Sequence, residues 1–201
     1  MTNPIPRSER PLRSDATRNR AALLDAAAKL FAERGFDVPM AEIAATAGVG
    51  RTTLLRNFPT RMELASALFE QSMGCMRALA ARQTGRPEDF AELFDLKLRL
   101  YIRNGGLAEA VQKESGESGS FHNERREISE LFLNAAQPAI RAGRMRPDVT
   151  HQTFMVLQQA MAGAITGGTS SEDRAERARL FRSLIFDGLM LPHQAWRPSP
   201  M

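Results

Sequence analysis

The sequence contains a single cysteine, Cys75. One thiol cannot close an internal disulfide and supplies too few thiolates for a structural zinc site, so a reducing cytoplasm is the expected compartment. The three histidines, His122, His151 and His193, form no metal-spaced cluster, and no HExxH occurs. No secretory leader is visible, because the residues up to Leu12 are polar and proline-rich without an apolar segment. The uncharged stretch Val149 to Ser171 holds His151, Gln152, Gln158, Gln159 and several threonines. That makes it a poor membrane span, and no membrane partner is expected. Period-2 alternation and tight hairpin turns are also missing, which argues against strands. Catalytic signatures are equally scarce. Gly116-Glu117-Ser118-Gly119-Ser120 lacks the G-x-S-x-G spacing and strand-to-helix context of a nucleophile elbow, and there is no GK[ST] phosphate loop. No catalytic residue, metal or cofactor is expected, and an enzyme is the disfavoured reading.

What is present is the composition of a globular chain. The 201 residues are 43% hydrophobic and 25% charged, enough to bury the core of one large domain or two small ones. The net charge is +4, and its placement matters more than its size. Residues 1–61 carry ten Lys/Arg against six Asp/Glu, whereas residues 62–201 carry 17 of each. The whole excess lies in the first third, as attraction to phosphates would require.

Helical periodicity runs throughout, so the fold class is all-α. Leu23, Leu24, Ala27, Leu30 and Phe31 make one apolar stripe, with Ser14 or Asp15 as a cap and Gly35 as the stop. A short helix follows from Pro39, a residue suited to a first helical position, and ends at Gly48. Glycine there can take the left-handed conformation of a sharp turn, and Val49 can plug that turn into the core. A second short helix spans Arg51 to Phe58. Thr60 and Glu63 have capping-box spacing and open a long helix to about Ala81, with Leu64, Leu68, Cys75 and Leu79 along one side. Further helices are expected over Ala91–Arg103, Leu107–Lys113, Asn123–Ala142 (with Pro138 kinking it late), from Thr150, and over Glu172–Leu191. Ser115 to Ser120 reads as a flexible loop. About nine helices result. A basic arm at 1–13 precedes them, and a disordered tail at 192–201 follows.

Two short helices joined by a glycine turn have the form of a helix-turn-helix. Ile43, Ala44, Ala47, Val49, Leu54 and Phe58 would bury. Arg51, Thr52, Thr53, Arg56 and Asn57 would then face outward from the second helix, whose side chains enter the major groove. Arginine can pair bidentately with guanine and asparagine with adenine, and threonine can meet a phosphate or a thymine methyl. Arg7, Arg10 and Arg13 of the arm could reach a minor groove, although a plain flexible tail is the favoured reading.

From Asn19 to Leu68 the chain resembles the TetR/AcrR family of repressors. The resemblance rests on Arg20 through Phe36, on Ile43-Ala44-Ala45-Thr46-Ala47-Gly48-Val49, and on Thr53-Leu54-Leu55-Arg56-Asn57-Phe58-Pro59-Thr60-Arg61. Two positions depart from the family pattern. Leu55 stands where a tyrosine usually meets a phosphate, and Gly50 where serine or threonine often opens the reading helix. Arg61 replaces the usual phosphate-binding lysine. The DNA-contacting set implied is Arg51, Thr52, Thr53, Arg56, Asn57, Thr60 and Arg61. The resemblance further implies a helix-turn-helix DNA-binding domain at 14–61 and a ligand-binding and dimerisation domain at 62–191, in a homodimer that binds a double-stranded operator and a small-molecule effector. In support, the uncharged helix is apolar too widely around for one core face, and Gly163 and Gly167 allow close helix approach. Phe154, Met161, Gly163, Gly167, Phe181, Leu184, Ile185 and Gly188 are the expected dimer interface, a bundle of two helices from each subunit. Met73, Met76, Phe94, Leu98, Tyr101, Phe121, Phe132, Met155 and Gln158 are the expected effector pocket, with methionine as adaptable lining. The expected function is a repressor released from its operator by the effector. A DNA-binding activator or architectural protein without ligand control is the alternative.

Overall fold

A computed structural model describes residues 9–105, 107, 122–168 and 170–189, with side chains from Asp15 onward. Eight helices occur among them and no strand: α1 (Glu9–Arg34), α2 (Met40–Thr46), α3 (Arg51–Asn57), α4 (Arg61–Ala80), α5 (Asp89–Arg103), α6 (His122–Arg141), α7 (His151–Thr166) and α8 (Ser171–Leu189). The expected helix Leu107–Lys113, the loop at Ser115–Ser120 and the tail at 192–201 lie outside the described residues, apart from Leu107.

The alanine-rich stretch of α1 needs no side-chain cap to stay helical. It runs from Glu9, earlier than a cap at Ser14 or Asp15 would place it. Its stripe Leu23, Ala27, Leu30 and Phe31 is buried against α2, α3, α4 and α5. Pro39 is the residue before α2 rather than its first turn, with φ −59°. The turn after α2 closes through two backbone bonds, Gly48 N–H to the Ala45 carbonyl (3.1 Å) and Val49 N–H to the Ala44 carbonyl (3.0 Å). Gly48 sits at φ +67°, the left-handed geometry this paired-bond helix stop demands. At the start of α4, Thr60 Oγ1 accepts from Glu63 N–H at 3.1 Å. The Glu63 carboxylate accepts from the Thr60 hydroxyl instead of its backbone. The reciprocal box is complete at α7, between Thr150 and Thr153.

Helices α5 to α8 close around a cluster of phenylalanines. The Phe90 ring lies 5.8 Å from Phe94, 5.9 Å from Phe132, 5.6 Å from Phe154 and 5.9 Å from Phe186. Phe94 also meets Phe181 and Phe186, at 6.4 and 5.4 Å. These tilted, edge-on and, for Phe94–Phe181, stacked pairs add to the burial of the rings themselves. Two polar features fix the edges of this bundle. The Asp89 carboxylate, buried at the start of α5, accepts from Gly85 N–H and Arg86 N–H. Arg174, buried in α8, donates to the carbonyls of Gly168 and of Ala32 in α1. That strut ties the last helix to the first.

One expectation about a helix face is corrected. Cys75 is exposed; the buried face of α4 is Leu64, Ala65, Leu68, Phe69, Ser72, Met73 and Met76, one residue of rotation away. The uncharged α7 is only partly covered within the protomer. Gln152, Val156, Gln159, Ala160 and Gly163 form an exposed stripe along it. Phe90→Ala would open a cavity among four rings and is expected to cost about 3–5 kcal/mol, read as a lower midpoint in urea unfolding. A loss well under 1 kcal/mol would show that the cluster can collapse around the gap.

Candidate functional site

Helix α3 is seven residues long, too short to hold its own shape in water. Leu54 and Phe58 are fully buried beneath α1 and α2, and their i, i+4 spacing fixes the rotation of the helix. Ile43 and Ala44 of α2 are buried with them, and Ala47 and Val49 are partly so. Gly50 precedes the helix in extended geometry without a side-chain cap, and its carbonyl accepts from Leu54 N–H. Arg51, Thr52 and Arg56 are exposed, and Thr53 and Asn57 half-exposed. Neither Arg51 nor Arg56 takes part in an ion pair or hydrogen bond among the described residues. Both guanidinium forks are therefore available to a ligand of opposite charge.

Three predicted contact residues are placed differently from a simple outward array. Asn57 folds back along its own helix, its Nδ2 donating to the Thr53 carbonyl at 2.8 Å. Arg61 pairs with Asp37 at 3.1 Å and lies over the Phe36 ring, so a phosphate there would compete with a carboxylate. Thr60 is committed to capping α4. Leu55, 41% exposed, shares the open face with Arg51 and Arg56. One neighbour was not singled out from sequence. Arg20 of α1 is exposed, with its guanidinium 4.4 Å from the centre of the Phe58 ring. It adds a cation beside α3, and its sequence signals are its place in the basic first third and at the start of the family-like stretch.

The expected pocket residues differ in burial. Phe94 and Phe132 are fully buried and packed ring against ring. Gln158 is buried, its Nε2 donating to the Arg125 carbonyl and Ser129 Oγ, so its amide is committed to joining α7 to α6. Met73, Met76 and Leu98 are buried, Tyr101 and Met155 half-buried, and Phe121 lies outside the described residues. A separate cleft of about 300 Å³ opens where α1, α5 and α8 meet, lined by Lys29, Glu33, Arg99, Arg103 and Arg174 among others.

The expected dimer face also divides. Phe154 and Met161 are corrected to the protomer's interior, where each is fully buried, because α7 turns them toward α5 and α6. Gly163, Gly167, Leu184 and Gly188 are exposed, and Phe181 and Ile185 half-buried. Val156, Leu180 and Leu184 stand out at 53%, 60% and 71% exposure. These are large apolar side chains left in water on α7 and α8.

Among the described residues, no helix is long and apolar enough to cross a membrane, and no cluster of His, Cys, Asp or Glu could hold a metal. The sequence pattern of bacterial regulatory proteins of the tetR family matches residues 23–68, which cover α2, α3 and their flanks. The similarity extends beyond that segment. The TetR transcription regulatory protein from Mycobacterium vanbaalenii is 30% identical over 90% of this chain and 100% of that one, with a TM-score of 0.59. The chain belongs to the TetR family. A TetR transcriptional regulator from Streptomyces coelicolor is 26% identical over 85% of this chain and 98% of its own, with a TM-score of 0.61. CprB from Streptomyces coelicolor, solved with its biological operator sequence, is 25% identical over 89% and 90%, also at 0.61. No curated protein matches the sequence. As a TetR-family protein, the chain is a DNA-binding transcription regulator whose helix-turn-helix is α2 and α3.

One residue of this regulator is out of place for a stable fold. Lys97 of α5 is only 5% exposed, and burial alone pushes its ammonium down from 10.5 to about 8. Below the folded value both states hold the proton, and the native state bears the cost of burying it. Between about 8 and 10.5 the native state releases the proton while the unfolded chain keeps it, so stability rises with pH. The full difference is on the order of 3 kcal/mol. Lys97→Met is expected to melt above the parent at neutral pH and to lose the rise between pH 8 and 10.5. An unchanged pH slope would contradict this.

Proposed function

We propose that the chain is an effector-controlled repressor that works as a homodimer, each protomer laying α3 in the major groove of a double-stranded operator. The observation that carries the DNA-reading assignment is the pairing of a buried Leu54–Phe58 anchor with two uncommitted arginines on the opposite face. Arg51 and Arg56 serve as base readers, and Thr52 and Thr53 as phosphate or thymine-methyl contacts. Asn57 and Arg61 are secondary, since each already has a partner within the protein. The neighbour CprB, solved with operator DNA, supports this placement.

The apolar face of α7 and α8 supports the dimer. Val156, Leu180 and Leu184 are exposed on the helices that also carry the exposed Gly163 and Gly188, small residues that let two helices approach closely. Pairing the faces would remove these side chains from water and set two α3 helices to meet major grooves about 34–36 Å apart. An effector among the C-terminal helices then shifts the dimer between a state that fits the operator and one that does not. It does so only by its different affinities for the two. Arg174 gives such a shift a physical path, because it bonds α8 directly to the carbonyl end of α1. The chain acts as a regulator and not as a catalyst, and its work is done in the compartment that holds the chromosome.

Binding-site selection on random duplex DNA should return a two-fold-related sequence. Arg51→Ala with Arg56→Ala should bind that duplex at least about a hundredfold more weakly. Because both residues read bases, the double variant should also relax sequence preference at the bases they contact. Unchanged affinity would reject α3 as the reader. Leu180→Glu with Leu184→Glu should sediment as a folded monomer and lose operator affinity by about tenfold or more. A dimer that survives both charges would place the interface elsewhere.

A further inference from the structure

The interior face of α5 holds more polarity than its packing needs. Lys97, Tyr101 and Asn104 recur at i, i+4 and i+7, turned toward α4. Lys97 Nζ sits 4.6 Å from the centre of the Tyr101 ring and 5.6 Å from that of Phe69 on α4. It has no hydrogen bond and no ion pair among the described residues. The two ring faces attract the charge, but they supply no acceptor for three ammonium donors. A buried ammonium without an anion is among the costlier arrangements a core can carry. Nearby, Asn104 is buried, its Nδ2 donating to Ser72 Oγ at 3.0 Å while its Oδ1 has no partner. A second cation bears on the same place: the positive charge of Arg125 on α6 acts on the Tyr101 hydroxyl, which burial pushes up to about 12. Along α4 the face continues from Phe69 through the buried Met73 and Met76. Methionine adapts readily to an apolar guest.

We propose that Lys97 is the head-group receptor of the effector site, and that the effector is an amphipathic monocarboxylate. Its carboxylate pairs with the Lys97 ammonium between the Phe69 and Tyr101 rings, and its apolar body lies along Met73 and Met76. The inference rests on the effector-controlled reading above and deepens it by naming the ligand's chemical class. A single flexible ammonium suits one carboxylate. A phosphate ester would call for the bidentate forks of arginine or a helix N-terminus, and Lys97 lies near the middle of α5. The Asn104 carbonyl oxygen, open to a donor, suits a hydroxyl on the same ligand. Keeping a buried lysine here lowers stability, and a binding role is the return that makes such a residue worth keeping.

The test uses the full-length protein with octanoate, decanoate, phenylacetate and cinnamate, each beside its uncharged primary amide, read by calorimetry and by operator binding. At least one carboxylate should bind at up to millimolar concentration, its amide at least about tenfold more weakly. Lys97→Met should lose that preference while keeping parental operator affinity and melting no lower than the parent. Lys97→Arg should retain part of it. No binding by any carboxylate, equal binding of acid and amide, or an undiminished preference in Lys97→Met would each overturn the proposal. The operator readout separates the two ideas. A carboxylate that binds through Lys97 without releasing DNA upholds the site and counts against effector control. An amide that releases DNA from parent and Lys97→Met alike upholds effector control and overturns the role of Lys97.

Discussion

The DNA-reading face exists because Leu54 and Phe58 are held beneath α1. A seven-residue helix gains little from its own hydrogen bonds, so its position and rotation come from those two side chains and the stripe that receives them. Leu23, Ala27, Leu30 and Phe31 supply that stripe, and the same helix also packs on α4 and α5. One buried seam therefore serves both the reader and the body behind it. Arg51 and Arg56 face outward as a consequence of what Leu54 and Phe58 do inward. The turn that joins α2 to α3 is equally constrained, since Gly48 carries a positive φ that a side chain would strain.

The body is joined to the reader by more than apolar contact. Arg174 places two guanidinium nitrogens on carbonyls from separate parts of the chain, Gly168 before α8 and Ala32 near the end of α1. Moving α8 without moving α1 would leave buried donors and a buried carbonyl unpaired, at about 1–3 kcal/mol for each group. Motion of the two helices is coupled to that extent. In contrast, the phenylalanine cluster of α5 to α8 is filled from within and resists deformation. The buried Lys97 and Asn104 on α5 are among the polar side chains at which the bundle departs from purely apolar packing.

The helix-turn-helix was legible in sequence because its signals are local. A proline start, a glycine stop and a Thr60 cap each act within four residues, and each sits within a residue of its expected place. The eight described helices follow the periodicity for the same reason. What sequence could not give depends on partners distant along the chain. Asp37, before α2, claims Arg61 at the start of α4, and Phe58 draws Arg20 from α1. Phe154 and Met161 carry the same apolar character as Val156, and only the rotation of α7 against α6 decides which of them is core. Cys75 lies one residue off the buried face of α4, an error in helical phase that a run of small and apolar residues readily hides. Lys97 was invisible for a different reason. A lysine beside alternating leucines in an amphipathic helix reads as a solvated charge, and nothing local reveals that α4 covers it.

The central claim is that α3 reads the major groove, once per protomer, at two sites on one face of the duplex. Methylation interference on the selected operator tests this most directly, because dimethyl sulfate marks guanine at N7 in the major groove and adenine at N3 in the minor groove. The account predicts that N7 methylation blocks binding at guanines in two symmetric clusters about one helical turn or a multiple of it apart. Interference confined to adenine N3, or to a single unsymmetric cluster, would contradict it.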